Sequence, residues 1–550
     1  MTSPHYALRL AVVAVVATLA FAKIAVAQPD LPGSQVRVEK LFDARLADAE
    51  RVAPTPTLPA LDTAVVAQRY EAIPVEPDVA YAPPRIKPLA IKTEDPPEAY
   101  KGFARLGVGL PLSWLGDLGY ATRLDALALR ADAHTYGIRG DYDEDQRYSE
   151  VRAGLGATYY TPGAVAVDLD VDYDRRDYRY YGFAEAVRDT SMRLVGEQAE
   201  QHFGVFGVEL GVRNARPGDS GIDYFGRVGF DILADNFASK ERRFRIEAGG
   251  RKDFTDVWYA EIALDVDLLS FEADRTQQLY NYGLTPAVGA HFDRWGVRLG
   301  AEVTNSSDTF RVFPAVEASY NLGRGFVAVV GADGGLRQNS YRALTEYLPF
   351  LVRDPRITNA EVWRGYASLL GLARGVTYKA TASYSRINKL AVFATDPSLP
   401  YKFRPAYDTA GVVGLELEAE MPVTERLSGS LLVDNRFYTL ERFDKPYLLP
   451  SFDAQLRAGY EVLPERFTAT GILLAQNALP VIGFNDEGEE VSDNVDDGTL
   501  LDLSVHGDYR VSKHFAAFAQ LNNLLNNRRR AFPNYPMVGT NVLAGVRARF

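Results

Sequence analysis

Across 550 residues there is no cysteine. That absence excludes disulfides, cysteine-ligated zinc and a lipid anchor on an N-terminal cysteine. Nor does the sequence hold an internal apolar run of the roughly 20 residues that a membrane-crossing helix needs. Basic residues are outnumbered, 60 Lys and Arg against 72 Asp and Glu, for a net charge of −12. This balance argues against a nucleic-acid partner and against a polybasic membrane contact. No Gly-rich phosphate loop, nucleotide motif or metal cluster stands out, so no cofactor is expected.

Aromatic residues and glycine are plentiful, with 31 Tyr, 28 Phe and 45 Gly. From Lys101 onward the apolar residues follow a period of two, the mark of strands with one apolar face. Val165, Val167, Leu169, Val171 and Tyr173 alternate with Asp168, Asp170, Asp172 and Asp174; Leu501, Leu503, Val505 and Tyr509 alternate with Asp502, Ser504, His506 and Asp508. Regular strands of about ten to thirteen residues fit a tilted crossing of a bilayer, and alternation dilutes the apolar fraction to an ordinary value. The last strand reads the same way. Val542, Ala544, Val546, Ala548 and Phe550 share one face, and Leu543, Gly545, Arg547 and Arg549 the other.

The connections alternate too. Short polar turns (Asp293-Arg294, Leu322–Gly325, Ala373–Gly375, Pro422–Glu425, Pro464–Arg466) interleave with long loops at Arg175–Gln201, Gln338–Ala360, Ala394–Asp408, Asn477–Thr499 and Leu525–Gly539. Short turns belong to the periplasmic rim and long loops to the outside, and segmenting the chain by that rule gives about 22 strands. The expected fold is all-β: a transmembrane antiparallel up-and-down β-barrel over 100–550.

Ahead of it, 1–27 reads as a signal peptide, with Arg9, an apolar stretch and the small-residue site Ala25-Val26-Ala27. Residues 28–99 carry prolines every few positions, which favours an extended Pro-rich periplasmic segment over a packed domain; Val36–Val52 alone shows helical spacing. This segment is either a solvated tether or a strip that docks on the barrel or on a partner.

Gly545 followed by apolar Ala548 and Phe550 resembles the C-terminal signal recognised by the barrel-assembly machinery, making Gly545 and Phe550 the expected assembly signal. Further, Asn523-Leu-Leu-Asn-Asn-Arg528, Tyr535-Pro536, Gly539, then Gly545-Val546 and Phe550 resemble the end of the barrel of TonB-dependent receptors. Leu525 stands where that family has Phe, and Thr540 where Arg is frequent. The resemblance covers the barrel only, no plug domain being found, and it implies a 22-stranded outer-membrane protein.

Candidate chemistry is sparse. Asp502, Ser504 and His506 place an acid, a nucleophile and a base on one strand face, but two-residue spacing sets them about 7 Å apart and no oxyanion hole is supplied, so a hydrated lumen wall is the expectation and an enzyme is not. Asp141–Asp145 imitates the start of a calcium loop but has Gln146 and Arg152 where Gly and Glu are required; Asp486–Asp497 fits only in part. Both are expected to be solvated loop charge. The ladder Asp168, Asp170, Asp172 and Asp174 is expected to face the lumen, with Arg213, Arg227, Arg243 and Arg245 as partners and cation selectivity as its functional sense.

A barrel of 22 strands is about 44 Å across, with an interior of order 25,000 Å³, whereas residues 28–99 fill roughly 10,000 Å³. Folded-in loops or a second protein must therefore close it, with Asn477–Thr499 and Arg175–Gln201 long enough to help. The expected function is uptake or passage of solutes across the outer membrane; the alternative is a structural or binding subunit of an outer-membrane complex. Expected partners are outer-membrane lipid and lipopolysaccharide, the assembly machinery, and a periplasmic or outer-membrane protein.

Overall fold

A computed structural model describes residues 100–550 apart from 141–144, 184–193, 195, 217–220, 308, 374, 485–489 and 495–498. The signal peptide, the Pro-rich segment with Val36–Val52, Asp141–Glu144 and most of the acidic stretch Asp486–Asp497 lie outside the described residues.

The strands are β1 (Gly102–Leu110), β2 (Ser113–Leu124), β3 (Leu127–Arg139), β4 (Arg147–Tyr160), β5 (Val165–Arg179), β6 (Glu200–Asn214), β7 (Ile222–Asp235), β8 (Lys240–Asp253), β9 (Trp258–Glu272), β10 (Thr276–His291), β11 (Trp295–Ser306), β12 (Thr309–Gly323) and β13 (Phe326–Asn339). The second half has β14 (Thr358–Ala373), β15 (Val376–Thr395), β16 (Phe403–Pro422), β17 (Leu427–Leu440), β18 (Phe452–Leu463), β19 (Phe467–Gln476), β20 (Pro480–Phe484), β21 (Glu490–Asn494), β22 (Leu500–Arg510), β23 (Phe515–Asn522), β24 (Arg530–Phe532), β25 (Tyr535–Pro536) and β26 (Asn541–Arg549). The β20–β21 and β24–β25 pairs are hairpins within loops; the other 22 form one sheet. Each of these 22 pairs antiparallel with its chain neighbours, and β26 returns to β1 with Arg547 opposite Arg105, closing the barrel. Closure removes every unpaired edge, the condition for a sheet in lipid.

The outer face is apolar. Leu155, Leu210, Leu264, Leu299, Val330, Leu415, Leu456 and Val546 are exposed on outward positions of nine to twenty-residue strands. Trp258, Trp295, Tyr460 and Tyr509 are exposed near the tight-turn rim, and Trp114, Tyr173, Trp363 and Phe437 toward the opposite rim. Two aromatic girdles flanking an aliphatic band are what a bilayer selects. No helix among the described residues is long and apolar enough to cross a membrane.

All 22 expected strands are present, with a few shifted ends. β15 is irregular because it bulges between Ile387 and Leu390, where Lys389 takes a φ of 62°. The loop expected at Ala394–Asp408 shrinks to 396–402, since β15 and β16 extend past the rim. There Val392 and Phe393, on opposite faces, are both buried, so the alternation that marks a strand vanishes.

Candidate functional site

The lumen has two parts. Its wall on β3 to β9 carries charged rows set by register. One row runs Asp132, Gly154, Asp172, Gly207, Asp231, each residue opposite the next across β3, β4, β5, β6 and β7. The two glycines keep this row open. A Cβ on Gly154 would lie 2.9 Å from Asp132 Oδ2, and one on Gly207 2.8 Å from Asp231 Oδ1, so both carboxylates lean over glycine toward Asp172.

Asp168, Asp170, Asp172 and Asp174 all face inward, running up the wall on β5. Arg213 Nε donates to Asp168 at 3.0 Å, Arg130 Nη2 to Asp170 at 3.0 Å, and Arg152 and Arg176 to Asp174 at 3.1 and 2.9 Å. Of the four arginines expected as partners only Arg213 reaches the ladder. Arg227 lies 3.6 Å from Glu247, Arg243 pairs with Asp267, and Arg245 meets Asp231 at 3.0 Å. Register explains the difference: Arg227 sits across two strands from Asp168 with Gly211 between, and Arg243 and Arg245 lie three strands from β5.

The mouth at the long-loop rim is filled. Inward residues at the upper ends of β5, β6, β7, β9 and β10 (Tyr178, Phe203, Leu233, Phe271, Leu279) join Tyr180, Tyr181, Phe350, Phe403, Leu448, Leu479, Phe532 and Tyr535 in one apolar cluster. Apart from Phe403, which opens β16, the latter come from the connections after β5, β13, β17, β19 and β23, and Tyr401 from the connection after β15 packs against them, so the cluster ties loops across the mouth into a lid. At its centre Phe350 and Tyr535 stack at 3.8 Å and 9°, both fully buried.

Polar contacts fix the lid's edges. Helix α1 (Tyr341–Tyr347) starts on Ser340, whose Oγ accepts from the Ala343 N–H at 3.1 Å, and Glu241 on β8 accepts from the N–H groups of Tyr341 and Arg342 at 2.6 and 3.3 Å. Tyr535 donates to the Tyr401 carbonyl at 2.8 Å, Tyr347 to the carbonyl of Leu448, and Arg529 to the carbonyls of Gln476 and Asn477 at 3.1 and 2.8 Å. Burial pushes the phenols of Tyr347 and Tyr535 well above their usual range, so they stay neutral donors.

Asn523 and Asn526, two of the three asparagines of the Asn523–Arg528 motif, take φ of 47° and 49°, left-handed values that asparagine tolerates. Asn523 Nδ2 also donates to the carbonyls of Asn527 and Val538 at 2.8 and 3.0 Å, locking the loop that carries Phe532 and Tyr535.

The Asp502, Ser504, His506 set lies inward on β22. It is not a hydrated wall, since Asp502 and His506 are buried beneath the loop after β23. Ser504 Oγ donates to Asp502 at 3.1 Å while His506 Nε2 meets Asn522 Oδ1 at 3.1 Å, an arrangement that locks a turn rather than activating a hydroxyl. Asp145, the described end of the calcium-like stretch, pairs with Arg179 at 2.5 Å.

Gly545 faces inward where a Cβ would lie 2.0 Å from the Leu106 carbonyl oxygen and 2.6 Å from the Phe518 ring, so the closing seam requires glycine there. Phe550 is exposed and its backbone exchanges hydrogen bonds with Gly102 at 2.8 and 3.0 Å.

No family model matches this chain, and no curated protein matches it in sequence. Solved structures do match in shape. The siderophore receptor PirA from Acinetobacter baumannii superposes with a TM-score of 0.65 at 9% identity, over 82% of this chain and 80% of that one. The FrpB iron transporter from Neisseria meningitidis gives 0.63 at 10%, covering 82% of each chain, and the siderophore receptor PirA from Pseudomonas aeruginosa 0.59 at 13%, over 83% and 81%. The fold is that of TonB-dependent siderophore-receptor barrels. Identities this low carry the fold and nothing finer.

The ladder was visible in the sequence. Asp132, Asp231 and the lid were not, because cross-strand register and loop-to-loop contact leave no periodic trace. The start Ser340-Tyr-Arg-Ala343 was the one signal available for α1, a serine N-cap ahead of helix formers.

Proposed function

We propose that this protein is an outer-membrane barrel for solute passage, with its long-loop mouth outward, shut by its own loops, and a lumen that favours cationic solutes. The lid carries this reading: an apolar core built from six connections closes one mouth of a charged, water-lined barrel. The neighbours in shape are siderophore receptors and an iron transporter, which supports passage of a solute as the task. On the open row Asp132 and Asp231 are answered by Arg130 at 3.6 Å and Arg245 at 3.0 Å, while Asp172 forms no ion pair among the described residues and would raise the local concentration of cations.

Planar-bilayer recording tests it. The full-length barrel should be nearly silent, and removal of 341–356 should give steady, cation-preferring conductance. In that background Asp172→Asn should reduce the cation preference by about twofold, since the carboxylate of the row that has no ion pair among the described residues is lost. A loop-deleted barrel that stays silent, or shows no preference, refutes the corresponding half.

Closure by loops also suits the second reading, a subunit of an outer-membrane complex, in which case the purified barrel would carry a co-purifying protein from mild detergent. For biogenesis we infer that Phe550, exposed at the end of the closing strand, is read by the assembly machinery. Its deletion should leave the chain degraded or periplasmic, and normal heat-modifiable barrel would contradict that role. Contact with lipopolysaccharide follows from the outward apolar belt only as a general expectation.

A further inference from the structure

The barrel closes, but the junction of β12 with β13 is laddered along only its lower half. β12 pairs with β11 up to Thr309 opposite Ser306, and β13 with β14 up to Asn339 opposite Thr358, yet β12 and β13 pair only from Gly323–Phe326 to Ala315–Asp333. Thr309–Pro314 and Gly334–Asn339 share no register. The cause is local: the next residue up β12 is Pro314, which has no N–H to donate to the ladder.

Above that point the wall laps over itself. On β10 to β12, Asn281, Ser306, Arg311 and Phe313 point inward, because the alternate positions Tyr280, Leu299, Phe310 and Val312 are exposed on the outside. On β13 and β14, Gly334, Asn359 and Glu361 share the outward face of the exposed Val330 and Trp363. These two faces meet. Phe313, fully buried, lies 4.9 Å from the Trp363 ring, and a Cβ on Gly334 would come within 2.8 Å of its Cδ1. Asn359 Nδ2 donates to Asn281 Oδ1 at 2.7 Å and to Ser306 Oγ at 2.8 Å, and Arg311 pairs with Glu361 at 2.7 Å. The chain entering β14 runs inside β10, where inward Gln277 donates to the Pro355 carbonyl at 2.9 Å and accepts from the Ile357 N–H at 3.1 Å. Thr358, Asn359 and Ala360 are all buried, as befits a strand covered on both faces.

An overlap parts more easily than a ladder. Through a laddered stretch, a path from lumen to lipid breaks consecutive backbone hydrogen bonds; here one ion pair, an asparagine cluster and one aromatic wedge have to separate. The overlap sits at the height of the outer aromatic girdle, to which Trp363 belongs. Phe310 and Val312 are strongly exposed on its lipid side. Its inner side holds Arg311 with Glu361, Glu302 against Gly335, and the Gln338 amide, whose N and O are buried with no partner among the described residues.

We propose that this overlap is a lateral port. An amphipathic solute, its apolar tail in the outer leaflet and its polar head toward the lumen, passes between leaflet and lumen beneath the lid as β12 parts from β13. This role rests on the reading of the barrel as a passage for solutes. A barrel that conducts ions yet keeps lipid out of the joint would retain that reading and lose this one.

The probe is a phospholipid with a diazirine near the head of one acyl chain, in vesicles that hold the full-length barrel; after illumination the labelled residues are mapped by mass spectrometry. Label should reach inward Glu302 and Thr304 at least about fivefold more than inward Glu209 on the laddered β6, since access follows the population of the open joint. Arg311→Gln should raise it further. Because the chain has no cysteine, Ser306→Cys with Asn359→Cys can be bridged specifically by dibromobimane. Bridging should remove the label from Glu302 and Thr304 while Phe310 and Val312 outside stay labelled. Equal labelling of Glu302 and Glu209, labelling that survives the bridge, or no rise in Arg311→Gln overturns the port, and a pair that cannot be bridged in heat-modifiable barrel denies the overlap itself.

Discussion

Phe350, Phe403 and Tyr535 in the lid expose at most a trace of surface, whereas Arg130, Asp132 and Arg227 in the wall below keep 60%, 55% and 51% of their side-chain surface. The lid is a small hydrophobic core assembled from loops, and its order depends on packing. The wall is a solvated face whose order comes from the strand ladder behind it. A substitution in the first should therefore act through cavity and contact, and one in the second through charge alone. The difference bears on the proposed passage: opening of the mouth would have to break an apolar core, while the charged wall has nothing to release.

The sharpest way to break this comparison is at the lid's centre. Phe350→Ala removes a fully buried ring stacked on Tyr535 and should cost the lid about 3–5 kcal/mol, enough to open it. The expected result is steady conductance in bilayers and tryptic cleavage at Arg342 or Arg353, with the barrel itself still heat-modifiable. A silent, protease-resistant variant would mean that the cluster is not what closes the mouth.

How much of this was legible depended on whether the backbone imposes a period. Outward Leu169 and inward Asp170 could be told apart because a strand alternates by geometry, and the five short turns fell between alternating runs, so strand number and topology were readable. Tyr180, Phe350, Leu448 and Tyr535 meet from loops far apart in sequence, and no local pattern encodes such a meeting. Phe403–Asp408 at the start of β16 was misread as loop for a related reason: Phe403 and Asp408, on opposite faces, are both buried, and two buried faces erase alternation. The row Asp132–Gly154–Asp172–Gly207–Asp231 is regular only across strands, so the partners assigned to the ladder were right for Arg213 alone.

The next test concerns the two faces of a single wall. Leu503→Arg and Leu169→Arg place a guanidinium in lipid and should cost about 2–4 kcal/mol in folding from denaturant into bilayers. Asp170→Asn on the lumen face leaves Arg130 with Asp132 at 3.6 Å and should cost less than about 1 kcal/mol. Equal losses at the two kinds of position would remove the inside–outside assignment on which the lumen rests.

The smallest expected effect is on the pH dependence of the lid. Asp396, in the β15–β16 connection, is buried, which by itself would raise its carboxyl; Arg404 and the N–H groups of Ser398 and Leu399, the latter at 2.8 and 2.9 Å, outweigh burial and hold it below the usual carboxylate range. A value lower in the folded lid than in the opened one means that the carboxylate stabilises closure at any pH above the ordinary Asp range and that this contribution is lost as pH falls through the folded value. The contribution of Asp396 to closure should thus be constant between about pH 5 and 8 and fall only below roughly pH 4. Conductance recorded across that range should show a modest rise at the acid end. In Asp396→Asn the baseline should be slightly higher at neutral pH and the acid rise smaller, because the titrating group is gone while Arg404 remains. An acid response identical in the two proteins would place the sensitivity elsewhere in the lid, and a response centred near neutral pH would point to a group other than this carboxylate.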